Sequence, residues 1–433
     1  MKSTANSMTK IFYLMRVLSR IYNPHAWMGP KSLKFLSALN PDIVFVASAS
    51  DFQRAYDGTY IPDKLELWRH QVESIKLNSV LVLIPFSHAA AKANPKDVIS
   101  IEPLVLKPLI QQKRFLALFH LLKKWRFNSD LAREPFSTYL HSQIWLNFLA
   151  RTKPKLLIGI GLTDGLLGIC SELGIKTIEV QHGIFSDAEL RNWWQYSGDG
   201  QRYGPDLFVT WDDHYSEIAS TLKINSLTVG YPFEFQGSSE TEPTLRKFSN
   251  NQRPAVAVTL SCRLPGGIDP WGMIDKNMDI SILKLLNQGI LVRLRLHPAV
   301  QGGVIRRSHI SSWLTKRYQN SEIVFPKDES ILQTLNFSDV HLTVASSTVL
   351  EASYLGVPTL ILQAAYLKPP AAYFSLEADQ SLPDDLLSLG IIKTTNVDSI
   401  LQDVEDFLRF PRKPFVNPLN ISEFQQRVTT WTS

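Results

Sequence analysis

The chain contains 433 residues, of which 44% are apolar and 20% carry a charge, and these proportions are ordinary for a folded globular protein. The length is too great for one compact core and predicts two domains of roughly 200 residues each. The composition excludes a disordered chain, and the two cysteines, Cys170 and Cys262, are too few for a disulfide scaffold or a thiolate zinc cluster.

Charge is distributed unevenly along the chain. Residues 1–150 hold 19 Lys and Arg against 10 Asp and Glu, and the other residues hold 26 against 30, within a net charge of +5. An electropositive first third predicts an anionic partner. No nucleic-acid-binding module is recognisable, so we expect a lipid surface and no nucleic acid. The basic, aromatic stretch 107–127 has the pattern of a helix on anionic lipid, and a packing helix with a basic outer face has the same pattern.

Neither a membrane span nor a signal peptide is predicted. No uninterrupted apolar run approaches the roughly 18 residues that a spanning helix needs. In the basic stretch 1–22, Arg16 interrupts the apolar part and no small-residue cleavage site follows. We therefore expect a cytoplasmic protein, peripheral at the inner face of the plasma membrane through 107–127.

Short β-branched runs alternate with stretches of helical spacing, a pattern that predicts buried parallel strands connected by helices. In chain order, the first half is predicted to contain a strand at 43–47, a helix at 62–75, strands at 80–85 and 153–161, a helix at 164–173 closed by Gly174, strands at 175–180 and 205–211, a helix at 212–222 and a strand at 226–232. The second half is predicted to contain strands at 255–260, 289–298, 322–326, 339–345 and 358–362, with helices between them, and helices at 382–408 and 422–431.

Two domains of one architecture follow from this alternation. The polar stretch 236–253 is the predicted linker, which assigns 1–235 to the first domain and 254–433 to the second. The last helix is a candidate for packing back on the first domain. We predict an α/β fold of two Rossmann-like domains that face a central cleft, with ligands at the carboxyl ends of the strands.

A hydroxyl-rich turn follows the predicted strand 339–345. Ser346, Ser347 and Thr348 come directly after it, and Glu351 lies in the first turn of the next predicted helix. Thr348 and Glu351 have the spacing of a capping box. The same amides and hydroxyls would also suit a phosphate group, and the carboxylate would suit ribose hydroxyls. Both interpretations can hold together.

Three polar side chains alternate along the predicted strand 289–298. The period of two places Arg293, Arg295 and His297 on one face of the strand. His297 falls at the carboxyl end, where it is either structural or a hydrogen-bond donor to a departing phosphate. Arg295 suits an anionic ligand.

Two candidate bases follow neighbouring strands of the first half. His182 comes directly after the strand 175–180, in Gln181-His182-Gly183, and Asp164 follows the strand 153–161. Neighbouring strands lie about 4.8 Å apart, so both side chains are expected at one crevice. Either would serve as a general base toward a hydroxyl nucleophile. The alternatives are a turn histidine and, for Asp164, a helix N-cap.

The loop 261–267 contains a glycine pair and Arg263, which suit contact with a phosphate. The dinucleotide fingerprint, the P-loop, the zinc-protease motif and the nucleophile elbow are all absent from the sequence. No Asp-x-Asp follows an apolar strand. We therefore expect neither a metal nor a cofactor.

Several segments resemble those of GT-B-fold glycosyltransferases of bacterial surface-polysaccharide assembly, which build capsule and lipopolysaccharide. They are TIEVQHG, PDLFVTWDDHYSEI, TVGYP, LRLHP and SDVHLTVASSTVLEASYLGVPTLIL, and the resemblance extends from about Lys153 to Leu408. The His-Pro pair and the later Ser-Ser are similar to the motif pair of bacterial sialyltransferases and Kdo transferases, which use CMP-linked sugars.

The resemblance implies transfer of a sugar from a nucleotide-sugar donor to a surface-polysaccharide or lipid-linked glycan acceptor. It implies His182 or Asp164 as the base and a donor site in the second half. The residues implied at the donor are His297, Arg263, Arg295, Ser346, Ser347, Thr348 and Glu351.

Three other functions stay open, two of them enzymatic. UDP-GlcNAc 2-epimerases share the fold, but they tend to have Asn shortly after His-Pro, where this chain has Ala299 and Val300. Glycerophosphotransferases that use CDP-glycerol have a similar motif pair. A catalytically silent protein that binds a nucleotide in the same pathway is the third.

Overall fold

The computed structural model describes residues 40–47, 52–54, 60–83, 98–99, 136–181, 183, 204–231, 253–261, 267–297, 304–326, 328–344, 346–363, 387–410 and 420–433. The predicted lipid-facing stretch 107–127 lies outside these residues. So does the predicted linker 236–253, apart from Arg253.

The described residues form fifteen strands and ten helices. The strands are β1 (Ile43–Ala47), β2 (Phe52–Arg54), β3 (Tyr60–Pro62), β4 (Ser79–Leu83), β5 (Val98–Ile99), β6 (Leu156–Gly159), β7 (Lys176–Val180), β8 (Leu207–Thr210), β9 (Ser226–Thr228), β10 (Ala255–Thr259), β11 (Leu291–Arg295), β12 (Glu322–Val324), β13 (Val340–Thr343), β14 (Thr359–Leu362) and β15 (Ile392–Thr395). The helices are α1 (Asp63–Ser74), α2 (Phe136–Thr152), α3 (Asp164–Glu172), α4 (Asp213–Thr221), α5 (Lys276–Asn287), α6 (Val304–Arg317), α7 (Ile331–Asn336), α8 (Thr348–Tyr354), α9 (Ile400–Leu408) and α10 (Ile421–Thr432). None of these described helices is long and apolar enough to cross a membrane.

Two parallel sheets organise the chain. The first has the strand order β5-β4-β1-β6-β7-β8-β9 and the second β12-β11-β10-β13-β14-β15, whereas β2 and β3 form a separate antiparallel pair. When only the strands of one sheet are numbered in chain order, each sheet begins 3-2-1-4-5-6, the order of a doubly wound Rossmann fold. The predicted α/β fold of two Rossmann-like units is therefore confirmed. The strand order reverses between β1 and β6 in the first sheet and between β10 and β13 in the second.

Burial explains why these segments become strands. All residues of β1 and β10 are buried, as expected for a sheet whose two faces are both covered by helices. The two sheets have separate apolar cores, with Phe45 of β1 and Ile158 of β6 in the first and Val256 of β10 and Leu294 of β11 in the second.

The last helix of the chain packs on the first sheet's core. Phe424 of α10 lies edge-on against Trp68, with ring centroids 4.7 Å apart, and Val428 joins the same cluster. The amide of Asn420 donates to the Val229 carbonyl at 2.8 Å, and the Lys155 ammonium donates to the Thr432 carbonyl. A segment that follows the second sheet in sequence therefore completes the core of the first.

The predicted helix at 382–408 is wrong over part of its length. Residues 392–395 form the edge strand β15, which pairs with β14, and the helix α9 begins at Ile400. Gly390 has a φ of +67°, a conformation that favours glycine and ends a helix. The residues after it include Ile392, Thr394 and Thr395, whose β-branched side chains favour a strand.

Candidate functional site

A cluster of hydrogen-bonded hydroxyls surrounds a histidine at the switch point of the second sheet. Thr259 ends β10, His341 lies in β13, and Thr348 begins α8. The His341 Nε2 atom lies 2.9 Å from Thr259 Oγ1 and 3.2 Å from Thr348 Oγ1. Its Nδ1 atom lies 3.1 Å from Thr359 Oγ1 on β14. One imidazole therefore joins the three strands that flank the 346–348 loop.

Burial keeps the His341 imidazole neutral. The side chain is fully buried, and desolvation of the charged form lowers the pKa of His341 from its ordinary 6.5 to about 3. A neutral ring has one nitrogen that donates and one that accepts, so His341 can pair with hydroxyls on both sides.

The native state does not accept a second proton on the His341 ring, whereas the unfolded chain does. The free energy of unfolding will therefore fall as the pH is lowered. The loss begins near pH 6.5, where the unfolded chain takes up the proton, and continues toward the folded pKa of about 3. From pH 7 to pH 5, His341 alone is expected to lower the free energy of unfolding by about 2 kcal/mol. Urea unfolding at both pH values will show a smaller loss for His341→Gln than for wild type, with exposed His309→Gln as the matched control. Equal losses in wild type and His341→Gln would contradict this assignment.

The 346–348 loop arranges its hydroxyls differently from a capping box. Ser347 occupies the N-cap position of α8, and its side chain makes no capping bond. Thr348 donates to Ser346 Oγ at 2.9 Å, in addition to its contacts with His341 and Thr259. The predicted capping box of Thr348 with Glu351 is therefore wrong, because the Thr348 hydroxyl is directed toward the sheet.

A buried carboxylate shapes the loop that precedes Asp164 in the first half. Glu179, on β7, accepts hydrogen bonds from the amides of Gly161 at 2.5 Å and Leu162 at 2.9 Å. Thr163 is the N-cap of α3, and its hydroxyl accepts from the Leu166 amide. The alternative that Asp164 is the N-cap is wrong, since Asp164 is the first residue of α3 itself.

A buried amide connects the ends of β7 and β8. The Gln181 side chain is 1% exposed. Its Nε2 donates to the Gly183 carbonyl at 3.0 Å, and its Oε1 accepts from the Trp211 amide at 2.8 Å. The Trp211 ring packs against Tyr231, with centroids 5.7 Å apart, and the Tyr231 hydroxyl donates to Asp212 Oδ2 at 2.5 Å. The three resembling segments of the first half thus converge at one edge of the sheet.

The two halves of the chain meet at Gly183 and Ser347. A Cβ placed on Gly183 would lie 3.6 Å from the Ser347 Cβ and 3.7 Å from its Oγ, which is ordinary van der Waals distance. Gly183, which follows β7 in the chain, therefore lies against Ser347 of the 346–348 loop. Ser347 is half-buried at this contact.

Both arginines of β11 are used within the second half. Arg295 Nη1 donates to the Glu329 carbonyl at 2.9 Å and to Thr334 Oγ1 at 2.7 Å. Arg293 pairs with the carboxylates of Glu322 and Glu329. The predicted alternation is confirmed for Arg293 and Arg295, and the face of the strand that they share packs on α7 and its preceding loop. Arg295 therefore has a structural role in the second half, and its predicted contact with the donor stays a prediction.

The other predicted site residues have mixed outcomes. His297 is half-buried, two residues beyond β11, at the same sheet edge as Thr259. Glu351 is 3% exposed, a burial that does not favour contact with a ribose. His182 and Arg263 lie outside the described residues, as does the side chain of Asp164. In the described part of the chain, no group of three or more His, Cys, Asp or Glu side chains is placed to bind a metal ion.

Sequence reasoning missed the residues that organise the two loops. His341 interrupts an apolar strand, VHLTVA, and a polar residue within a buried strand is the signal that points to a specific partner. Gln181 is adjacent to His182 and carries no comparable signal, because its partner Trp211 lies 30 residues away in sequence.

No protein-family model matches the sequence, and no curated protein matches it. Solved structures do share the fold. The S. aureus MnaA–UDP co-structure superposes with a TM-score of 0.51 at 12% identity, over 90% of each chain. UDP-GlcNAc 2-epimerase from Neisseria meningitidis bound to UDP-GlcNAc gives 0.49 at 14% identity, over 90% of this chain and 98% of that one. The glycotransferase of kitacinnamycin gives 0.47 at 12%, over 90% and 94%.

At such low identity, the similarity to the MnaA–UDP structure shows the fold alone. Together with the strand order of both sheets, it defines a GT-B-type fold of two Rossmann-like domains.

Proposed function

We propose that this protein is a metal-independent glycosyltransferase that moves a sugar from a nucleotide-sugar donor to a glycan or lipid-linked acceptor. The observation that carries the proposal is the approach of Gly183 to Ser347. That contact lies beside the switch point of the second sheet, where open α/β sheets bind their ligands. The MnaA structure of the same fold holds UDP, which supports a nucleotide as the ligand.

The proposed reaction needs a base on one side of the gap and hydrogen-bond donors on the other. The base takes the proton of an acceptor hydroxyl, and the oxygen of that hydroxyl forms a bond to the anomeric carbon of the donor sugar. The bond from that carbon to the phosphate oxygen breaks, and its electron pair leaves with the nucleotide. Hydrogen bonds from His297 and from the hydroxyls of Ser346 and Ser347 stabilise the developing charge.

Two arguments favour His182 over Asp164 as the base. His182 precedes Gly183, which lies against Ser347 of the second half. An imidazole titrates near neutral pH, where a general base is most effective.

The donor nucleotide and the acceptor follow from the sequence resemblance. CMP is the nucleotide that the His-Pro and Ser-Ser pair indicates, and a lipid-linked glycan suits the basic stretch 107–127. Such an acceptor would place the reaction at the cytoplasmic face of the membrane, in the assembly of capsule or lipopolysaccharide.

Labelled CMP-, UDP- and GDP-linked sugars and CDP-glycerol, incubated in EDTA with and without a membrane glycolipid extract, test the proposal. We expect label in the glycolipid only when protein, sugar donor and extract are all present, with an equal amount of nucleotide released. Conversion of the nucleotide sugar to a stereoisomer without extract would indicate an epimerase. Movement of glycerol phosphate would indicate a glycerophosphotransferase, and nucleotide binding without turnover a silent protein. Each of these three results would contradict the proposal.

A further inference from the structure

The side chain of Gln181 has the geometry of a bridge between two loops. It is 1% exposed, and both of its polar atoms are engaged, Nε2 with the Gly183 carbonyl and Oε1 with the Trp211 amide. Its own amide donates to the Val209 carbonyl at 2.9 Å. Gln181 therefore ties the turn that it begins to the neighbouring strand β8.

The other end of this bridge is buried and makes further contacts. Trp211 is fully buried, and its ring packs on Tyr231. The Tyr231 hydroxyl binds Asp212, which is the N-cap of α4 and accepts from the Tyr215 amide. Trp211 follows β8, Asp212 caps α4 and Tyr231 follows β9, so three neighbouring segments of the first half position the Gly183 carbonyl.

We propose that Gln181 is a positioning residue that holds Gly183 against Ser347 and so fixes how the two halves of the chain meet. Gly183 is the point at which this turn meets Ser347, at 3.6 Å for a Cβ placed on the glycine. Its catalytic consequence rests on the proposed function, because the acceptor hydroxyl and the donor sugar would meet beside this contact. The contact itself does not depend on any activity.

The first test measures the contact without turnover. In a protein with Cys262→Ser, the pair Gly183→Cys and Ser347→Cys has a Cβ separation that suits a disulfide. We expect rapid and complete cross-linking on mild oxidation, and cross-linking at least tenfold slower when Gln181→Met is added. Thr210→Val is the matched control, because it removes a buried hydroxyl that bonds Ser216 and Thr228 at the adjacent strand end. We expect it to leave the rate unchanged. An equal rate with and without Gln181→Met would overturn the proposal.

The second test separates positioning from a structural role. Measured per folded molecule, Gln181→Met should lower kcat by roughly 10- to 100-fold with the donor KM changed less than about threefold, since a misplacement of about 1 Å can cost that much. In Gln181→Glu, a protonated carboxyl can donate to the Gly183 carbonyl and an ionised one cannot. The ratio of its kcat to that of wild type should therefore rise as the pH is lowered. Thr210→Val will show neither effect.

The outcomes of the two tests keep the two proposals apart. In one outcome, Gln181→Met slows cross-linking of the cysteine pair, but the wild-type protein transfers no sugar. That result would leave Gln181 as the positioning residue of this contact and overturn the proposed function. A wild type that transfers sugar, with a Gln181→Met variant of unchanged kcat per folded molecule, would overturn the positioning role alone.

Discussion

Replacing His182 with alanine will lower kcat by roughly 10²- to 10⁴-fold, the range that general-base catalysis supplies. Without the imidazole, the acceptor hydroxyl has no proton acceptor when it attacks the anomeric carbon. Donor binding lies on the other side of the gap, so the donor KM should change by less than about threefold. The measurement is nucleotide release at saturating donor and acceptor, normalised to folded protein.

Asp164→Asn is the comparison that identifies the base. It keeps the size of the side chain and removes its basicity, and we expect kcat to fall by less than about tenfold. His309→Ala, on the exposed surface of α6, controls for loss of a histidine as such. If His182→Ala retains its rate while Asp164→Asn loses it, then Asp164 is the base and the assignment is reversed.

Replacing His297 with alanine will have the second large effect, a decrease in kcat of roughly 10²- to 10³-fold, as for loss of one donor to a developing negative charge. The charge on the departing phosphate grows during bond breaking, so kcat should fall more than donor affinity. His297 lies half-buried beyond the end of β11, and we expect the thermal unfolding temperature to remain nearly that of wild type.

Retained sugar release by His297→Ala would remove this residue from the mechanism. A variant that loses kcat together with its unfolding temperature would instead indicate a structural role. His297→Gln, which keeps a hydrogen-bond donor at the side-chain end, should recover part of the rate if hydrogen bonding to the phosphate is the source of the effect.

The fold could be predicted from the sequence because its signals are local. Continuous β-branched runs such as 43–47 and 255–259 predict buried parallel strands, and both are strands with every residue buried. The helix predicted over 392–395 is wrong for the same reason. Four residues next to a leucine-rich stretch are too few to show whether their apolar side chains repeat with the period of a strand or of a helix. Their pairing with β14 decides their structure, and that pairing is not local.

The sequence predicts at which edge of each sheet the site residues lie, but it does not predict which of them meet. The sequence shows that Ser347 follows one predicted strand and Gly183 another. Their contact depends on how the two halves of the chain pack, which the sequence does not show. Arg295 shows the same limit, because alternation places it on the correct face without revealing that the loop before α7 occupies that face. His341 and Gln181 act through partners that are distant in the chain.

The central claim is that a nucleotide binds between the two halves of the chain, beside the contact of Gly183 with Ser347, and a covalent link across that contact tests it directly because the linked halves cannot part to admit the ligand. CMP, CDP, UDP and GDP are first screened for thermal stabilisation, since a ligand of the native state raises stability with its concentration. The most effective nucleotide is then added to the Gly183→Cys and Ser347→Cys double variant, oxidised and reduced, with each single variant treated alike. We predict that the cross-linked protein loses the nucleotide-dependent rise in Tm and regains it on reduction. An equal rise in Tm for the fully cross-linked and the reduced protein would contradict the claim.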